Sequence, residues 1–240
     1  MFFAREIQGQ VLTFGVFGKL IMNAVVMYDH QTDTLWSQFL ATAVDGPFAG
    51  TKMELLSSQL TTWGAWLELH PDTKLLDRSI GRGAGRDPYT PYYNSNSAGV
   101  LGESVGDSRL ARKDLIIGLD HGQQRIAYGL TNLKEELAVN DLYDQAPVVI
   151  THDPFGEAAA AFSRTLDGRT LTFETVDRVT MRDVETGSTW SSLRGDALSG
   201  EFAGAQLDQL PSFVAFWFLW TVLPRHRPVR RRRKPKSVIP

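Results

Sequence analysis

In several stretches apolar and polar residues alternate, and short turn-forming clusters interrupt the alternation, which predicts antiparallel hairpins. Residues 4–15 read as a hairpin around Gln8-Gly9, and residues 159–176 as a clearer one around Asp167-Gly168. A second pair of hairpins is expected from residues 25–29 with 34–38, and from 179–183 with 188–193. Each then leads through a short strand and a glycine-bounded loop (46–50 and 200–204) to an amphipathic helix, predicted to start near Ser58 or Ser212 as caps. Trp63 and Trp66, like Trp217 and Trp220, are three residues apart and so share one helical face. Such pairs suit pinning a helix to a sheet, or an aromatic ligand cage. Between these regions, residues 76–106 read as a long irregular loop. A hairpin is expected from 115–119 and 125–130, then a short helix at 133–138 and a buried-type strand at 147–151.

The two sets of elements carry related sequences. Residues 27–66 align without a gap on 181–220, with about 14 of about 40 positions identical, far above chance. All six tryptophans fall into register, and Phe48-Ala49-Gly50 repeats as Phe202-Ala203-Gly204. The upstream hairpins match at an offset about five residues larger, so residues 15–26 hold the extra length. The expected fold is therefore β-rich α+β: two homologous units of meandering antiparallel strands, each closed by a Trp-bearing helix. Residues 1–75 form the first unit, 76–110 a linker, 111–223 the second unit and 224–240 a basic tail. The second unit has a leading segment of about 45 residues with no counterpart in the first. An unpaired edge and exposed apolar surface are then expected on the first unit, with marginal stability or self-association as the consequence.

Composition narrows the chemistry. The chain has 240 residues and no cysteine, which removes disulfides, thiol nucleophiles and cysteine-ligated metals together. The tail at 225–236 holds eight of the 25 Lys and Arg, leaving the rest with 17 basic against 27 acidic residues, about −10. Such a body repels phosphate backbones, so nucleic acid is not a favoured partner. The tail itself admits a solvated end, a tether to anionic lipid or nucleic acid, or a shifted reading frame. The longest apolar stretch, 213–223, is about half the length needed to span a bilayer and reads as a core helix.

Phe-Gly-Val-Phe-Gly-Lys-Leu at 14–20, Val-Val-Met-Tyr-Asp-His-Gln-Thr-Asp-Thr-Leu-Trp at 25–36, Asp-Gly-Pro-Phe-Ala-Gly-Thr-Lys at 45–52 and His-Pro-Asp at 70–72 resemble the bacterial and archaeal domain-of-unknown-function 3179 family. That resemblance implies no established activity; it implies an exported or membrane-anchored setting, although no signal peptide is visible here. Relatives carry a Cys-Pro-x-Cys segment just ahead of the position of Phe3, and Asp153 stands where its first Cys would fall in the second unit. By that comparison the start of this chain was lost or assigned late. Relatives also continue past the position of Trp220 with a His-Pro-Asp segment where this chain turns to arginines.

Candidate chemistry is sparse. His152-Asp153 at a strand end and Asp120-His121 in a hairpin turn can form a divalent metal site if the two ends meet; otherwise they are solvated turn residues. Asp29 and Asp183 close equivalent strands and read as turn caps, or as paired carboxylates for acid–base work. Arg86, Tyr89 and Tyr92, with Asp29 and Trp36, are the candidates for lining a groove between the units. The residues support no particular cofactor, and no nucleophile stands beside a base at a recognisable spacing. Two readings stay open: a non-catalytic binding or structural module of the cell envelope, and a metal- or redox-linked extracytoplasmic enzyme whose cysteine segment lies outside this chain.

Overall fold

The computed structural model describes residues 1–75, 89–99, 107–121 and 124–223. Strands dominate, joined by four short helices among the described residues. Two four-stranded antiparallel meanders stand out. The first runs Phe14–Ile21, Ala24–Asp29, Leu35–Ser37, Thr42–Asp45, and the second runs Phe173–Thr175, Thr180–Asp183, Thr189–Ser191, Ala197–Ser199, each in simple sequence order. A short hairpin precedes each meander, Glu6–Ile7 with Gln10–Val11 and Thr165–Leu166 with Arg169–Thr170. Their turn residues, Gln8-Gly9 and Asp167-Gly168, all have positive φ, the pattern of the two-residue turn that matches strand twist.

Between the meanders lie two three-stranded sheets. The middle sheet pairs Leu115–Leu119 with Ile126–Gly129 on one side and with Phe213–Phe216 on the other. The adjoining sheet is Ala138–Tyr143, Ala146–Asp153 and Ala158–Ser163. The strands Leu115–Leu119, Ile126–Gly129 and Ala158–Ser163 are covered on both faces, which explains why their sequences are nearly continuously apolar rather than alternating. Ile117, Leu119, Ile126 and Tyr128 pack on Val148, Ile150, Ala159 and Ala161. The opposite face, Ile116 and Ala127, meets Ala24 and Phe39 of the first half together with Trp217 and Trp220. From the adjoining sheet, Val149, Ala160 and Phe162 turn to the second meander and join Trp190 and Phe173. The order of layers is first meander, middle sheet, adjoining sheet, second meander. The run of alanines at 158–161 fits a strand whose two faces meet different layers, Ala159 and Ala161 on one and Ala160 on the other, where small side chains keep the layers close.

Several expectations need correcting. The first helix is Trp63–Leu69, capped by the Thr62 hydroxyl, which accepts from the Ala65 N–H; Ser58 is not its cap. The second begins only at Trp217, because Phe213–Phe216, expected as helix, is drawn into the middle sheet by pairing with Leu115–Leu119. Ser212 is therefore not a cap. The short helix expected at 133–138 lies at Leu130–Leu133, and Ala138 already begins a strand. Most of the expected irregular loop, and the whole basic tail, lie outside the described residues.

Candidate functional site

Asp29 and Asp183 close the second strand of each meander. Both are fully buried. The Asp29 carboxylate accepts from the Trp36 indole N–H at 2.9 Å, the Thr32 backbone N–H at 2.6 Å and the Thr32 hydroxyl at 2.9 Å. Asp183 has the same donors in Trp190 at 2.8 Å and in the Thr186 backbone N–H and hydroxyl at 2.6 and 2.8 Å. Burial opposes ionisation, but the indole and threonine donors outweigh it, and both carboxyls are held below the usual aspartate range. These groups are acceptor keystones: each ties a turn to the tryptophan at the centre of its meander. Carboxylates so held are weaker bases than free aspartates, and their oxygens are already occupied by internal donors. Asp29 and Trp36 cannot line a groove, since neither reaches solvent.

The other groove candidates lie elsewhere. Arg86 falls outside the described residues. Tyr92 is fixed from three sides: Lys113 sits 3.8 Å above its ring, Phe216 packs edge-on at 6.4 Å, and its hydroxyl accepts from the Gly99 N–H at 3.0 Å. Tyr89, by contrast, is largely exposed. Nearby, residues 107–112 and Asp114 line an open depression of about 570 Å³. Its Arg109 is committed to Asp107, and the Asp114 carboxylate accepts from the Ala111 N–H.

The four candidate metal ligands are not one site. Asp120 holds Arg125 through two hydrogen bonds, and the neighbouring His121 packs on Tyr143, the residue opposite Ala146. His152 and Asp153 lie at the far end of the same Ala146–Asp153 strand. Six residues of extended chain put roughly 20 Å between the two pairs. Among the described residues no group of three or more potential ligands gathers. His152 is buried, and burial pushes its pKa below the ordinary histidine value, so it is neutral at pH 7. Asp153 is buried too and accepts from Arg178 at 2.7 Å and from the Phe155 N–H at 3.0 Å. Arg178 also reaches Glu68 at 2.7 Å, which ties the first helix to the second half. Thr62 N–H donating to the Gly156 carbonyl at 3.1 Å strengthens the same joint.

What sequence reasoning did not locate residue by residue is the open edge of the first half. Phe2–Phe3 pairs with Leu55–Leu56, and among the described residues no strand pairs with its other side. Phe2 is 64% exposed, Val16 72%, and Phe17 and Leu20 are also exposed. Phe3, Phe14 and Met27 are half-covered, whereas the residues at the matching places of the second half, Phe162, Phe173 and Met181, are buried. The repeat offset was the signal that could have identified each of these positions.

A family model described as "Protein of unknown function (DUF3179)" matches residues 1–225. The chain belongs to that family. Neither the curated proteins nor the solved structures contain a match. The family assignment brings no activity with it, so a functional reading rests on the geometry.

Proposed function

We propose that this family member is a non-catalytic binding module of the cell envelope, built from two homologous units that arose by duplication. The open edge of the first unit is its contact surface. The observation that carries the reading is the unequal covering of matching residues: Phe3, Phe14 and Met27 stand half-open where Phe162, Phe173 and Met181 are sealed. Phe3, Phe14 and Met27 all pack on the core cluster around Trp36, and apolar side chains gathered there but left part-open suit an interaction site. The duplication is supported by the shared strand order and by the Asp–Thr–Trp keystone present once in each meander. The commitment of Asp29, Asp183, Asp120 and Asp153 to internal donors supports a binding role over an acid–base one. The envelope setting rests on the resemblance of the sequence to exported relatives.

Co-sedimentation of the purified chain with bacterial envelope preparations tests this. Retention of the wild type that a Phe2→Ser/Val16→Ser variant loses is the expected result. Equal retention of both, or none of either, would sink the reading. Melting in the presence of zinc, copper or iron supplies a second arm, with no shift expected; a shift abolished by His152→Ala would favour the metal-linked alternative.

A further inference from the structure

We infer that the open edge of the first unit is a β-strand acceptor, whose partner is an extended polypeptide segment with small or β-branched apolar residues on its inward face and a carboxamide side chain. This rests on the binding reading above and names its partner class. The second half shows what covers such an edge. There Phe162, the counterpart of Phe3, pairs across the ladder with Val149, and Ala161, the counterpart of Phe2, pairs with Ile150. On its other side Phe162 bridges to Gln209, as Phe3 pairs with Leu55. The ladder is thus the same on one flank, and among the described residues the other flank is filled only in the second half. An exposed flank with free backbone donors and acceptors is a template for strand addition.

Two further groups point to the same partner. Arg164 donates to the carbonyls of Val148 at 3.0 Å and Leu171 at 2.6 Å, so its guanidinium clamps the covering strand to the meander. Its counterpart, Arg5, shares the backbone bond to the residue seven on (Leu12 N–H to the Arg5 carbonyl, as Leu171 to Arg164), yet its side chain is exposed and makes no hydrogen bond or ion pair among the described residues. Asn140 closes the outer edge of the second meander by donating to the Phe173 carbonyl at 2.7 Å and accepting from the Phe173 N–H at 2.9 Å. Phe14 has the same register, opposite Asp29 as Phe173 is opposite Asp183, and no such amide stands beside it among the described residues. The flank of Phe2–Phe3, the Arg5 guanidinium and the backbone of Phe14 therefore present the donors and acceptors that residues 138–153 satisfy in the second half. Val149 fixes the inward chemistry of the partner, since it packs against Phe162 and Trp190 there.

The test uses the full chain and a fluorescent synthetic peptide with the sequence of residues 138–153. Saturable binding is expected, with slowed amide exchange at Phe2, Phe3 and Phe14. Arg5→Ala in the chain, an exposed change that leaves the fold alone, and Asn140→Ala in the peptide should each weaken binding about fivefold, as loss of one or two hydrogen bonds does. Val149→Asp in the peptide should abolish it. No saturation at millimolar peptide, or protection gained at Phe162 and Phe173 instead, overturns the proposal, as does binding indifferent to all three changes. If the chain dimerises, a dimer that the peptide dissolves identifies a second copy as a source of the strand, and a dimer that ignores the peptide counts against it. Envelope retention without peptide binding removes this inference and leaves the binding module standing; peptide binding without envelope retention removes only the setting.

Discussion

The two meanders are built on the same keystone and differ in what lies over them. In each, a buried aspartate holds a threonine turn and a tryptophan indole, with aromatic neighbours at nearly the same spacing: Phe14 at 5.9 Å from Trp36, Phe173 at 5.8 Å from Trp190. Over the second meander lies a three-stranded sheet that adds Ala138, Val149 and Ala160 to its core; the first core cluster has no such contribution. The helices that follow differ as much. Trp217 and Trp220 are each 1% exposed, while Trp63 is 48% exposed. The Asp, Thr and Trp residues common to the two meanders therefore fix the inside of each, and the neighbouring layers decide what each outer face experiences.

That contrast can be broken most sharply at the helices. Trp217→Ala should cost about 3–5 kcal/mol in chemical denaturation, the range for removing a buried aromatic. Trp63→Ala, at the matching position, should cost less than about 1 kcal/mol because half its surface is already wet. Equal losses would show that the two faces are equivalent after all. Phe162→Ala against Phe3→Ala makes the same comparison at the sheet edge, with about 3–5 kcal/mol expected for the first and distinctly less for the second.

The keystones should behave alike. Asp29→Ala and Asp183→Ala each orphan an indole N–H and a turn, and about 2–3 kcal/mol is expected from either. A difference greater than about 1 kcal/mol between them would mean that the covering sheet stiffens one turn and not the other. Acid should act on both together. Their folded pKa values lie below the unfolded value near 4, so the stabilisation is complete above about pH 4 and is lost as pH falls through the folded values. Replacing either aspartate with alanine should flatten that limb of the stability profile, measured as the denaturation midpoint against pH.

A smaller effect marks a feature of the second half. A Cβ on Gly118 would run into the Trp220 ring, so Gly118→Ala must push the Trp217–Thr221 helix off the middle sheet, at about 1–3 kcal/mol. Trp220 fluorescence should redden with the change.

Much of this was legible in the sequence because it is local. The Asp167-Gly168 turn, the repeated Asp-x-x-Thr turns and the buried strand around Val148–Ile150 follow from residue type and spacing. What was not legible depends on distant partners. Phe213–Phe216 has the composition of a core helix and becomes a strand because Leu115–Leu119 offers it an edge. Asp29 reads as a turn cap, and it is one, but its carboxylate also ties to Trp36 across the hairpin. Whether His152-Asp153 and Asp120-His121 meet depends on the fold, and nearly a full strand length separates them. The open edge was expected in outline from the unequal units; Arg5 and Phe14 as its donors and acceptors needed the coordinates of Arg164 and Asn140.

The middle sheet carries one more consequence, for the order in which the chain can be assembled. Its strand Leu115–Leu119 is flanked on one side by Phe213–Phe216, and its lower face supports Ala24 and Phe39. During synthesis the first meander emerges early and can close its keystone alone, while its underside waits for a sheet whose last member leaves the ribosome about 170 residues later, at roughly ten or more seconds of elongation. Over that interval Phe39 and the strand edges stay uncovered, and the nascent chain is a client for any chaperone that binds apolar segments.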